Sequence, residues 1–394
     1  MEREYKVNPL PVLTWNRLDL NVAKMKTDAA FSAEDFCREV TLPEGMSVRT
    51  LPDAAALEEW VAAHGGKPAQ EEVIACKYPM VAGQSFPTGM GEEADRLFDE
   101  ADAPVKLYEL KEGCRPEAPV RLDYLYPDAA ASAGRILIHL GKYSELTLIQ
   151  YFKAEKEAAN IVAGTSTCVY LEEGAKLHLV KLQMLPKQSV FLDDSGARLE
   201  RDAQLEVTQL ELGAGTVYLG ALYDHWGDRS SLNSRLGYIC AKDGFIDHNH
   251  VDTYRGKKNE GVMRFHGVLL ENAHKVSRET LDFRRGCTGS EGDEEENMLV
   301  LGEDAIDRAN PMILGEEEDM NGRHAVTIGK LSPDMLFYMQ SRGINALTAQ
   351  QLMVRASVNR VSQHIPDREL QEAADRYVDR IFCEREDCDA PCAD

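Results

Sequence analysis

Three short segments of this chain repeat one pattern: a small residue, a polar residue, then an apolar residue at every second position. They are Ser144-Glu-Leu-Thr-Leu-Ile-Gln-Tyr, Ala175-Lys-Leu-His-Leu-Val-Lys-Leu and Ala203-Gln-Leu-Glu-Val-Thr-Gln-Leu. Their leading leucines, Leu146, Leu177 and Leu205, recur about 30 residues apart. Alternation with a period of two is the mark of a strand. Recurrence over tens of residues marks a unit that cannot bury its apolar face alone and does so by stacking on its neighbours. Strand repeats of this kind build a β-solenoid, in which each coil lies on the next around a continuous core. A β-sandwich shares the short strands and turns but does not require the recurring register. The pattern therefore predicts a mainly β chain built as a solenoid.

The repeats occupy the middle of the chain. From Arg135 to about Lys330, runs such as Gly134-Arg-Ile-Leu-Ile-His139 and Leu146-Thr-Leu-Ile-Gln-Tyr-Phe152 are separated by turn residues, without long helical periodicity. The expected domains are residues 1–134, residues 135–330 and residues 331–394. The first reads as a polar arm with Pro9 and Pro11, then a mixed α/β region with a helix around Asp53–His64. The second is the β core and the third a helical module. In the third, Ser332 is placed as an N-cap with Pro333 at the first helical position, and the helix runs to Arg342 and stops at Gly343. The spacing Thr348-Ala-Gln-Gln351 is that of a capping box and predicts a second helix opening there. A third follows Pro366, because Leu370, Ala374, Tyr377 and Ile381 share one face.

Composition excludes several classes. The formal net charge is −23. Such a surface repels a phosphate backbone and disfavours acidic polysaccharides, whereas cations and partners with a basic face suit it. No apolar run is long enough to span a bilayer, and no signal-like stretch follows Met1. The expectation is a cytoplasmic protein bound to neither nucleic acid nor membrane. The nine cysteines are mostly isolated, which is no disulfide framework, and in a reducing compartment they stay thiols.

Motifs of common activities are absent. There is no Gly-x-x-x-x-Gly-Lys-Ser/Thr loop, so the chain is not a P-loop ATPase. There is no Gly-x-Ser-x-Gly elbow and no paired Cys-x-x-Cys zinc motif. Four groups can carry metal chemistry. In Asp247-His-Asn-His250 an extended strand puts His248 and His250 on one side, as two ligands of one ion would be. With no third ligand nearby in sequence, the favoured reading is a pair of exposed polar residues beside the charged loop 255–259. The runs Gly292-Asp-Glu-Glu-Glu296 and Glu316-Glu-Glu-Asp319 can hold cations but read first as solvated acidic loops. His324, taken alone, reads as a hydrogen-bonded structural histidine. Cys383, Cys388 and Cys392 are spaced to hold a soft metal or a cluster, in a charged tail of the kind that is usually unstructured.

One combination is long and specific. His324-Ala-Val-Thr-Ile-Gly-Lys-Leu331 contains a His-x-x-Thr element, and Leu336-Phe-Tyr-Met-Gln-Ser-Arg-Gly-Ile344 follows it. Together they resemble the SufB/SufD family of iron–sulfur cluster assembly proteins. Phe265-His-Gly-Val-Leu-Leu-Glu-Asn-Ala273, Asn297-Met-Leu-Val-Leu-Gly302, Pro311-Met-Ile313 and Thr14-Trp-Asn-Arg-Leu18 are similar to further family segments. The likeness covers residues 135–365 well and residues 21–130 poorly.

The resemblance implies a right-handed parallel β-helix flanked by an N-terminal region and C-terminal helices. It implies a non-catalytic scaffold subunit whose C-terminal helices dock a SufC-type ABC ATPase, so that nucleotide is bound by the partner and not by this chain. Two β-helix subunits would pair, and a transient iron–sulfur cluster would form at their interface. The docking surface would comprise Met335, Leu336, Phe337, Tyr338, Met339, Arg342, Gly343 and Ile344, a helix apolar on nearly all sides. SufB subunits carry a cysteine at the place of Ala305 and a glutamate directly after the histidine, where this chain has Ala325. With both missing and His324 kept, the resemblance is to the SufD-like branch, in which a neutral imidazole can complete an iron site across two chains.

Three features depart from that pattern. Gly322 stands where SufD-like members often have a cysteine, the N-terminal region is short, and the tail cysteines match no family feature. The β-helix partner is accordingly a SufB-type subunit or a second copy of this chain, in which case Cys287 or the tail thiols would replace the missing ligand. The competing class is a β-helix enzyme acting on polysaccharide, which needs convergent carboxylates and basic residues in a groove.

Overall fold

The computed structural model describes residues 2–12, 20–38, 40–64 and 87–385. The Thr14–Leu18 segment, Cys388 and Cys392 lie outside them. Strands β1 (Arg3–Val7) and β2 (Ala23–Thr27) form an antiparallel ribbon, followed by β3 (Met46–Leu51), α1 (Ala54–Ala63) and α2 (Glu92–Glu100). Strands then come in pairs. These are β4 (Val105–Leu110) and β5 (Val120–Tyr126), β6 (Ala131–Leu140) and β7 (Glu145–Ala154), β8 (Val162–Leu171) and β9 (Lys176–Met184), β10 (Val190–Leu199) and β11 (Gln204–Glu211). The series continues with β12 (Thr216–His225) and β13 (Ser231–Cys240), β14 (Phe245–Tyr254) and β15 (Glu260–Leu269), β16 (His274–Phe283) and β17 (Ser290–Val300), β18 (Ile306–Gly315) and β19 (Met320–Gly329). Helices α3 (Pro333–Ser341), α4 (Ala346–Ser362) and α5 (Arg368–Arg385) close the described chain.

From β4 onward, even-numbered strands lie side by side in one sheet and odd-numbered strands in a second, and neighbours within each sheet are parallel. Each passage through both sheets is one coil, so the chain is a parallel β-solenoid of eight coils, as the repeats predict. β3 pairs antiparallel with β4 and so covers one end of the first sheet.

The recurring leucines stack directly. Leu146 pairs with Leu177, Leu177 with Leu205 and Leu205 with Leu232, all buried. The small residues before them, Ser144, Ala175, Ala203 and then Ser230, are buried in one corner. Each follows a residue in the left-handed region: Tyr143 (φ 57°), Gly174 (66°), Asp202 (58°) and Arg229 (59°). Only one of these four is glycine, so the turn is held by its coil neighbours rather than by local freedom. In the sixth and seventh coils the leucine column gives way to Gly261 and Gly292. The Tyr254 ring and hydroxyl occupy the space that a Cβ would need there.

Both outer faces are covered. On the even-numbered sheet, Asn8 Nδ2 donates to Asp247 Oδ1 (2.7 Å), Asn249 Nδ2 to the Gly89 carbonyl (2.9 Å), and Arg278 Nε to the Leu20 carbonyl (2.8 Å). On the odd-numbered sheet, Val354, Val358 and Val361 of α4 and Leu370, Ala374 and Val378 of α5 bury Leu182, Leu210, Ile239 and Val268. α3 buries no residue. Ser332 and Pro333 start α3 as expected. α4, however, opens at Ala346, capped by Asn345, whose side chain accepts from Thr348 N (2.8 Å). The cap thus lies three residues before the Thr348–Gln351 pattern, because asparagine is the stronger N-cap. Among the described residues no helix is long and apolar enough to cross a membrane.

Gly237 of β13 lies beneath α4. A Cβ there would stand 2.6 Å from Leu210 Cδ2 and 3.1 Å from Val361 Cγ2. Gly237→Val is expected to lift α4 from the sheet and cost roughly 1–3 kcal/mol. The expected readout is a lower urea midpoint with faster amide exchange in α4.

Candidate functional site

Alternate residues of every strand face the lumen. Most are apolar, but polar side chains gather in two stretches besides the buried His225–Asp252 pair near one corner. In the first, Lys181 Nζ donates to Asp193 Oδ1 (2.6 Å) and Oδ2 (2.9 Å) and to Ser195 Oγ (2.7 Å). Gln209 Nε2 donates to Asp193 Oδ2 (2.9 Å) and to Glu211 Oε1 (2.8 Å), and Gln183 Nε2 to Glu211 Oε2 (3.1 Å). These groups satisfy one another, as buried polar groups must. Burial, with the Asp193 charge adding, still pushes the Glu211 carboxyl up to about 8.

The second stretch lies nearer the C-terminal end. His248 and His250 of β14, Lys275 and Glu279 of β16, Glu294 and Glu296 of β17 and Asp307 of β18 converge on it. His248 and Glu296 are fully buried, Glu279 and Glu294 1% exposed. One nitrogen of His248 and one carboxylate oxygen each of Glu279 and Glu296 lie within 4.8 Å of one another. Lys275 Nζ pairs with Glu296 and with Asp307 Oδ1 (3.1 Å). Unlike the first stretch, this one is poorly satisfied. Both ring nitrogens of His248 and Glu294 Oε1 lack a hydrogen-bond partner, and the Glu279 carboxyl has little beyond the Ser277 hydroxyl beside it.

Burial dominates the protonation of this stretch. It holds the His248 imidazole well below its usual range and pulls His250 down to about 3, so both rings are neutral. It raises Glu279 well above the carboxylate range, with the Glu296 charge adding, and Glu294 to about 8 for the same two reasons. Neutral imidazole is the form that binds metals.

The structure places the residues singled out in the sequence as follows. His324 is exposed on β19, in register with Glu294 of β17. β19 pairs with no further strand among the described residues, and Val326 and Ile328 are exposed beside His324. Ala325 is exposed and Ala305 half-buried. Phe337 (73% exposed), Tyr338 (58%) and Met335 (51%) stand out on α3, and Arg342 lies 5.2 Å from the Tyr338 ring centroid. Cys287 is buried and Cys383 half-buried on α5.

Two expectations are overturned. His248 and His250 are not exposed beside a loop: β14 is inside its sheet, with the N-terminal segment over its outer face and the lumen under its inner face. The run Gly292–Glu296 is not a solvated loop but part of β17, with Glu294 and Glu296 turned inward. Sequence reasoning therefore missed Glu279, Glu294, Glu296 and Lys275 as partners of His248. The signal was there in the alternation, since Gly292, Glu294, Glu296 and Met298 continue the inward set of their coil. The run Glu316–Asp319 does lie in the turn between β18 and β19, where Glu317 accepts from Gly286 N (3.0 Å).

Among the described residues the chain is thus a β-solenoid with both faces covered, a partly polar lumen, and an end strand and an apolar helix left exposed. Residues 125–357 match the family described as SUF system FeS cluster assembly, SufBD core domain, and the chain belongs to that family. It is similar to the iron–sulfur cluster assembly protein SufD of Bacillus subtilis, at 22% identity over 64% of this chain and 58% of that protein. A SufBD family protein of Pyrococcus horikoshii is 25% identical over 71% of this chain and 65% of its own length. SufD of Escherichia coli is 22% identical over 74% and 72%. The match thus spans less than two thirds of the Bacillus and Pyrococcus proteins.

Glu211 gives a pH signature. Its carboxyl is raised in the folded state from 4.5 to about 8, so between these values the fold holds a proton that the unfolded chain has released. Stability from this group is therefore present at acid pH and falls as pH rises through that window. In denaturant titrations from about pH 5 to about pH 9, wild type is expected to lose on the order of 3 kcal/mol relative to Glu211→Gln, with no further change above the window.

Proposed function

We propose that this chain is a SufD-like, non-catalytic scaffold subunit of a cytoplasmic iron–sulfur cluster assembly complex. The observation that carries the reading is the pairing of an unpartnered end strand bearing His324 with a separate exposed apolar helix on the same rigid core. Two free surfaces of different character suit a chain that joins two kinds of partner. The names of the SufD relatives support the assembly role. Ala305 and Ala325, which supply neither thiolate nor carboxylate, support the SufD-like branch.

Among the described residues the end strand β19 offers a row of unpaired main-chain groups together with Val326 and Ile328, and Ile306 of β18 is exposed beside them. A second β-solenoid, of SufB type, can extend the sheet there and cover the apolar side chains. His324 then lies at the subunit boundary. Its imidazole supplies one nitrogen to the iron of the nascent cluster, opposite a thiolate from the partner, and the cluster leaves as product. On α3, Phe337, Tyr338 and Met335 present the face that a SufC-type ATPase covers. Nucleotide is handled by that partner, and this chain contributes shape, docking and a ligand.

The test is co-expression of the tagged chain with its host's SufC-type ATPase and SufB-type subunit, then anaerobic purification with subunit, iron and sulfide analysis. The expected result is a complex containing the ATPase. Phe337→Asp should weaken ATPase retention at least tenfold without lowering the melting temperature, because the ring is exposed. His324→Ala should lower iron and sulfide while leaving subunit ratios unchanged. A complex whose cluster content is indifferent to His324→Ala removes this residue from the chemistry. No complex with either partner, together with lyase activity on a polysaccharide, would overturn the proposal.

A further inference from the structure

We propose that the second polar stretch of the lumen is a binding site for one divalent first-row transition-metal ion, ligated by His248, Glu279 and Glu296. This site is separate from His324 and stands whether or not the chain takes part in cluster assembly.

Geometry comes first. The three donors lie within 4.8 Å of one another and come from three strands, β14, β16 and β17, that the coil register holds together. Donors about 2.1 Å from a common ion stand roughly 3–4 Å apart, so side-chain adjustments of about 1 Å close the site. Satisfaction comes second. A fully buried imidazole whose two nitrogens have no hydrogen-bond partner faces two buried carboxyls, Nδ1 standing 3.9 Å from Glu279 Oε1 and Nε2 4.0 Å from Glu296 Oε1. Leaving such groups unmet forfeits the solvation they had in water with nothing in return. The other lumen stretch shows that this chain can pair buried polar groups with one another when nothing else is to be held.

Charge comes third. Glu279, Glu294, Glu296 and Asp307 share this part of the lumen with Lys275. Arg278, on the same strand as Lys275, is turned to the outer face, where it donates to Asp247 Oδ1 (2.6 Å) and the Leu20 carbonyl (2.8 Å). Four carboxyls facing one ammonium group can all ionise only if further positive charge enters, and a divalent cation supplies it. Lys275 keeps Asp307 (3.1 Å) when Glu296 turns to the ion.

The donor set selects the metal class. One imidazole and two carboxylates suit Fe(II), Mn(II) or Zn(II), whereas a site for Cu(I) would use sulfur and one for Ca(II) oxygen alone. Access follows the register. Glu294 sits two residues from Glu296 on β17, and the next coil puts His324 beside Glu294 at the open end. The inward positions thus form a line of donors from surface to site.

Mn(II) is the probe of choice, because the tail thiols compete poorly for it. The full-length chain is stripped with a chelator and titrated anaerobically with Mn(II), free ion being read by electron paramagnetic resonance. The expected result is one saturable site per chain, weakened at least tenfold by Glu279→Gln and unchanged by His324→Ala or Glu317→Gln. Electron spin-echo modulation of the bound ion in wild type and in His324→Ala should show nitrogen coupling from one imidazole. Absence of a stoichiometric site, equal loss in Glu317→Gln, or binding unaffected by a folded Glu279→Gln variant would overturn the proposal. Should Glu279→Gln fail to fold by near-ultraviolet circular dichroism, the nitrogen coupling decides: its presence in His324→Ala supports the site and its absence refutes it.

Discussion

Parallel in-register stacking of the coils is the constraint on which the rest of this molecule depends. The main-chain ladders hold successive coils about 4.8 Å apart, so every inward residue lies against its counterpart above and below. Each position is therefore a column rather than a site, and a column must be compatible along its length. The leucine column through Leu146, Leu177, Leu205 and Leu232 is the simple case. Where Tyr254 enters the lumen, the column yields to Gly261 and Gly292, and the repeat fades from the sequence while continuing in space.

The same rule sorts buried charge. A charged side chain in the lumen has neighbours on two coils and across to the opposite sheet, and desolvation is tolerated only when they supply partners. Around Lys181 and Asp193 they do. Around His248 the charged neighbours are mostly carboxyls, and Lys275 is the buried cation among them. The two stretches have the same architecture and differ in what they ask from outside the chain.

Much of the architecture was legible in the sequence, because period-two alternation and the recurrence of Leu146, Leu177 and Leu205 are local and repetitive. α1, α3 and α5 were legible through Asp53, Ser332 with Pro333, and the apolar face from Leu370 to Ile381. The polar lumen was not. A histidine or glutamate on an alternating strand looks outward-facing unless both faces of that strand are known to be covered. The cover comes from residues far away in sequence, such as Asn8 and Gly89 over β14. The corners were obscured for a related reason: Tyr143, Asp202 and Arg229 adopt a backbone that glycine would have announced. His324 became conspicuous only through its resemblance to a family, since an exposed histidine on an end strand carries no local signal.

The seating of α4 has a mechanical consequence. A helix of 17 residues is about 25 Å long, and coils repeat at about 4.8 Å, so α4 is a strut laid over several coils at once. Its valines are keyed into β11, β13 and β15 through Leu210, Ile239 and Val268. A load applied at α3 therefore reaches β19 through the short link 330–332 and, through α4, a block of coils. Whatever binds α3 thus holds, through one helix, both the last strand and the coils that α4 bridges.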